Sequence, residues 1–157
     1  EPLGTMDNVT SIIIPNIQLA SEVKSLELVD HESKPYYASP KKVVGHLPTS
    51  ANPGEQGGVW LFGHLESPFM GEGSVFWDIP KLQDELTDNN NVNIIVSSAQ
   101  RRFVYRVSSI NTVDQDKFKT YDSFKPTLHV VTCYPRLKYD KRMVVNADLV
   151  YSEALGN

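Results

Sequence analysis

The sequence has a single cysteine, Cys133, in 157 residues. No disulfide can close within the chain, and no zinc site that needs several thiolates can form. No apolar run approaches the roughly 20 residues that cross a bilayer as a helix, and no signal peptide is visible. Charge is concentrated in neither sign. Fifteen Lys and Arg against 19 Asp and Glu leave a net charge of −4, and the basic residues are scattered, which leaves no footprint for nucleic acid. Helix signals are poor as well. Ten prolines and nine glycines are spread along the chain, so few windows could hold a helix of average length. The chain opens EPLGTMDN, without an initiating Met. Residues 1–11 read as a tail or cloning remnant ahead of one domain over 12–157, a length that can bury a real core.

Short extended stretches fill the rest. SIIIPNIQL is β-prone, with Pro15 marking an edge or bulge. VKSLEL (23–28) alternates apolar and polar residues. VWLFGH (59–64) is a nearly continuous apolar run, as in a strand buried on both faces. NVNIIV (91–96) and RRFVYRVSSINTV (101–113) flank SSAQ, a hairpin turn. TLHVVTC (127–133) and RMVVNADLVY (142–151) complete about seven or eight strands, the pattern of a closed or sandwiched all-β domain. FWDIPKLQDEL (76–86) predicts a turn or two of helix around Pro80, and DQDKFKTYD (114–122) a short helical crossover. LPTSANPGEQGG (47–58) is a loop.

The chemistry gathers at strand ends. In TLHVVTC, Leu128, Val130 and Thr132 share one face, and His129, Val131 and Cys133 the other. A free cysteine usually behaves as a small buried hydrophobe. Used as a nucleophile it needs a His or cation beside it, since its ordinary pKa is about 8.5. His31 lies in a polar turn. His129 lies four residues from Cys133, about 13 Å along a strand, too far for a direct hydrogen bond. His64 ends the VWLFGH strand and His46 is its rival. Arg142 opens the last strand across the loop YPRLKYDK from Cys133, with Arg136 and Lys141 as competitors for the same role.

Taken in order, these segments resemble the sortases, cysteine transpeptidases of bacterial cell surfaces. TLHVVTCYP is similar to the family's catalytic strand, with Tyr-Pro after the Cys as in several class D members. RMVVNADLV is similar to the strand opened by the essential Arg. GHLPTSANPGEQGGVWLFGHLE is similar to the block that ends in the catalytic His. SIIIPNI and VFWDIPKL match the first strand and the stretch after the His. Leu65 after the His, Arg136 after Cys-Tyr-Pro and the polar loop DELTDNNNVN depart from the common patterns and bear on subclass.

The resemblance implies an eight-stranded all-β barrel with short helices. It implies Cys133 as nucleophile, His64 as catalytic His, Arg142 as essential Arg, Thr132 in substrate binding and His46 as an auxiliary His, with no metal or other cofactor. The implied partners are surface proteins bearing a C-terminal sorting signal of Leu-Pro-x-Thr-Gly type, and an amine from a cell-wall precursor or a pilin lysine. Nucleic acid is not among them, and membrane contact would be only through an anchor outside these residues. The implied place is the extracytoplasmic face of the bacterial membrane. A pilin-polymerising sortase is the rival enzyme, disfavoured because 1–11 carries no acidic or aromatic plug. A catalytically dead barrel used for binding is the rival outside enzymes.

Overall fold

The computed structural model describes residues 6–31, 34–38, 43–63, 75–134 and 140–156, with 27–31, 34–38 and 133–134 described by their backbone alone. The apolar positions of SIIIPNIQL place Ile12 and Ile14 inward on β1 (Ser11–Ile14). Pro15 cannot extend that ladder. It opens a 3₁₀ turn, Pro15–Ile17, and Gln18 in the left-handed region (φ 53) returns the chain as β2 (Leu19–Ser25). β3 (Glu27–His31) and β4 (Lys34–Ala38) form a separate two-stranded hairpin. The stretch VKSLEL thus spans two strands, broken at Leu26, whose N–H donates to the His46 carbonyl.

The remaining strands are β5 (Val44–His46), β6 (Gly57–Phe62), β7 (Asn93–Ser97), β8 (Arg101–Asp114), β9 (Pro126–Tyr134) and β10 (Lys141–Ala154). Eight strands close into a barrel in the order β1-β2-β5-β6-β9-β10-β8-β7. Ser11 opposite Ser97 joins β7 back to β1, and closure leaves the barrel itself without a free edge. Two neighbouring pairs are parallel, β2 with β5 and β6 with β9. Each needs a long crossover. That of β6 to β9 carries α1 (Lys81–Thr87), β7 and β8. Helix α1 starts after Pro80, as the sequence predicts. Segment 114–122 does not form the expected helical crossover. It holds only a 3₁₀ turn, Gln115–Lys117, before running on without regular structure.

The barrel interior is filled by alternate residues of each strand, among them Val59, Leu61, Leu128, Val130, Met143 and Val145. The outward residues of β6, β9 and β10 are also buried. Trp60, Val131 and Val144 form a second cluster with Leu47, Phe62 and Phe118. Strand β6 is therefore apolar on both faces because both are covered. The residues before β1 are tied down too: Val9 is buried, and the Met6 N–H donates to Glu55 Oε2 at 2.8 Å.

Candidate active site

Strand pairing brings three chain segments to one end of the barrel. β9 and β10 form an antiparallel hairpin in which Cys133 stands opposite Arg142, Val131 opposite Val144 and His129 opposite Asn146. β6 runs parallel to β9, from Gly57 opposite Pro126 to Phe62 opposite Val131. Just beyond β6, Gly63 donates its N–H to the Val131 carbonyl at 3.2 Å. A Cβ at Gly63 would stand 2.7 Å from the Phe76 ring, so glycine lets the chain leave β6 tightly against that buried aromatic. His64 and Arg136 lie outside the described residues. Position 133 is described by its backbone alone.

The Arg142 Nη1 donates to the Lys141 carbonyl at 3.1 Å. Lys141 is engaged elsewhere. Its ammonium meets Asp114 at 2.9 Å, and that bond raises the lysine pKa and lowers that of the aspartate. Thr132 faces the barrel interior, opposite Met143, and is buried. Its hydroxyl has no hydrogen-bond partner among the described residues.

His46 is buried, and its Nε2 lies 2.9 Å from the Ala51 carbonyl and 3.2 Å from Ser50 Oγ. A bond to a carbonyl requires Nε2 to carry the proton. Burial holds its pKa below the ordinary value, opposed by the Ala51 bond and by Glu55. His46 thus pins the loop that leads into β6.

His129 sits on the outer face in a network the sequence does not announce. Its ring stacks on Trp60 at 4.3 Å between centroids. Its Nδ1 lies 2.7 Å from Asn146 Oδ1, and its Nε2 3.1 Å from the Thr127 hydroxyl. Asn146 turns its amide to Ser109 Oγ at 3.1 Å, which leaves Oδ1 as acceptor and fixes the proton on Nδ1. Burial depresses its pKa, with Asn146 and Asp148 opposing. Gly58 makes room for the stack: a Cβ there would stand 2.9 Å from the His129 ring. The segment after β8 straps this face. Phe118 packs edge-on to Trp60 and Phe62. The Tyr121 hydroxyl donates to Asn146 Oδ1 at 2.8 Å, and Trp60 Nε1 donates to the Tyr121 carbonyl at 3.3 Å. The signal within reach was the alternation in VWLF, which turns Trp60 and Phe62 away from Val59 and Leu61.

Among the described residues no three His, Cys, Asp or Glu side chains are gathered to hold a metal ion, and no helix is long and apolar enough to cross a membrane.

A sortase-domain family model matches residues 12–150. The chain belongs to the sortase family. No curated protein sequence matches it. Solved sortases of several classes share its fold. Sortase A of Listeria monocytogenes superposes with a TM-score of 0.71 at 18% identity, over 97% of this chain and 93% of its own. Sortase C1 of Streptococcus agalactiae gives 0.69 at 23%, over 90% and 67%. A sortase D5 transpeptidase of Clostridium perfringens gives 0.68 at 21%, over 92% and 80%. The eight-stranded closed barrel is the sortase barrel. Members of this family are transpeptidases of the extracytoplasmic side of the cell.

Proposed function

We propose that this sortase domain, residues 12–157, cuts a Leu-Pro-x-Thr-Gly-type sorting signal after Thr and transfers the protein to a cell-wall amine. The observation that carries the reading is the ladder pairing of Cys133 with Arg142, at the barrel end to which parallel β6 delivers the chain just before His64. The offset between partners on β6 and β9 is 69 throughout, from Gly57 opposite Pro126 to Phe62 opposite Val131.

In this assignment the Cys133 thiolate attacks the Thr carbonyl carbon, and a C–S bond forms. The Arg142 guanidinium holds the developing oxyanion with its fork of N–H donors. As the C–N bond breaks, protonated His64 gives its proton to the leaving amine, which leaves a thioester. An incoming amine attacks the thioester. His64 takes its proton, and the thiolate is restored as the new amide forms. Thr132, the residue expected in substrate binding, is buried and turned into the barrel interior one residue before the nucleophile, and its hydroxyl has no partner among the described residues.

The test is incubation with a peptide library around Leu-Pro-x-Thr and an amine acceptor, read by mass spectrometry. Products joined at Thr to the acceptor support the reading. A chain that leaves every such peptide intact contradicts it.

A further inference from the structure

Beside the ladder pair of Cys133 and Arg142, on the side of β10 away from β6, lies a cavity of about 220 Å³. Val113, which forms part of its floor, is the ladder partner of Arg142. Val144, Phe118 and Tyr121 supply further apolar lining. Lys117 and Lys119 stand at the rim, both exposed. Neither has an ion-pair partner within 4 Å among the described residues. The nearby Asp114 carboxylate is already held by Lys141 at 2.9 Å. In a chain of net charge −4, two exposed ammonium groups over an apolar floor, of which Lys117 also feels the Asp114 carboxylate, form a local site for an apolar stem that ends in a carboxylate.

We infer that this cavity binds an acidic side chain of the acyl-donor peptide, in the segment on the leaving-amine side of the cut bond. The inference rests on the proposed transpeptidase reading. Phe118 belongs both to the cavity wall and to the aromatic cluster on Trp60 and Phe62. The cavity therefore adjoins that cluster, whose Trp60, Val131 and Val144 are themselves buried. The apolar β6 side, with Leu47 and Phe62, suits the Leu-Pro half of the signal, and the lysine-rimmed side receives the residues beyond the cut bond. β9 and β8 are two strand spacings apart, which puts the cavity floor about 10 Å from the nucleophile's backbone. At about 3.3 Å per extended residue this corresponds to the second or third residue after the cut bond.

The experiment pairs Leu-Pro-x-Thr-Gly peptides that carry Glu or Gln at those positions. Binding is measured to the full chain with Cys133→Ala, and kcat/KM to the wild type. The Glu peptide should bind about two- to fivefold more tightly, with the difference shrinking as salt rises. Lys117→Met with Lys119→Met should erase the difference, and Lys117→Glu with Lys119→Glu should turn the preference towards a Lys peptide. Equal binding of Glu and Gln peptides, no binding of either, or a preference that survives the double Met change overturns the inference. So does discrimination that appears only with carboxylates on the amine acceptor. Retained discrimination in binding without any cleavage by the wild type would count against the transpeptidase reading instead.

Discussion

Cys133 and Arg142 are direct partners across the β9–β10 hairpin, nine positions apart in the chain and facing each other in the ladder. The pairing follows from two strands whose inner residues, Leu128 and Val130 on one and Met143 and Val145 on the other, must all reach the barrel core. A slip of one residue would turn those side chains out. The register that fills the core is thus also the register that sets the guanidinium-bearing residue opposite the cysteine.

Arg142→Ala should therefore lose about 10²–10³-fold in transfer rate, the usual cost of removing one oxyanion donor. Arg142→Lys should also be poor, because a point charge cannot reproduce the planar fork. Arg136→Ala should stay near wild type. Steady-state transfer of a Leu-Pro-x-Thr-Gly peptide to an amine, with stability checked by thermal melting, makes the comparison. An inactive Arg136→Ala beside an active Arg142→Ala would reverse the assignment.

His64 and His46 should separate by kind of effect. His64→Ala should cut turnover by about 10²–10⁴-fold, as loss of a general acid–base does, with little change in Tm. His46→Ala should leave turnover within a few-fold. It should lower stability by about 1 kcal/mol, because the partly buried Ala51 carbonyl loses the donor that His46 provides. Turnover and melting measured on the same two variants decide the matter, and the opposite pattern would give His46 the catalytic part.

Stability should fall on mild acidification. Burial holds both His46 and His129 below their ordinary pKa of 6.5. Below that value the unfolded chain binds protons that the folded chain refuses. The stability these residues contribute is therefore present above about pH 6.5 and lost as pH falls through their folded values. Thermal melts between about pH 7.5 and about pH 5 should show a falling Tm. A variant with His46→Gln and His129→Gln, less stable at neutral pH, should show a smaller fall. A fall of equal size would place the sensitivity elsewhere.

The sequence made the barrel legible where alternation is long and uninterrupted. TLHVVTC and RMVVNADLVY mark β9 and β10, and VWLF marks a strand covered on both sides. It failed where an element is too short or too mixed to show a period. β5 has three residues, Val44–His46, and β4 contains a proline within KPYYA. Segment 114–122 has helical composition, yet Phe118 and Tyr121 are drawn onto Trp60, Phe62 and His129, an attraction that exists only once β6 and β9 lie side by side. For the same reason His129 could be set aside as a base but not seen as the centre of a buried network. Its partners Trp60 and Asn146 are remote in sequence. His46 read as an auxiliary position through the family resemblance alone, and nothing local to GHLPTS shows that the Ala51 carbonyl returns to meet it.

The most direct measurement is mass spectrometry of the intact chain, and then of its proteolytic fragments, after brief exposure to a Leu-Pro-x-Thr-Gly peptide without an acceptor amine. A nucleophilic Cys133 predicts a mass increase equal to the peptide up to and including Thr less one water, carried on the fragment that contains Cys133. The adduct should be discharged by an added amine and absent from Cys133→Ala. Cleavage of the peptide by a Cys133→Ala protein, or an acyl adduct on any other residue, would contradict it.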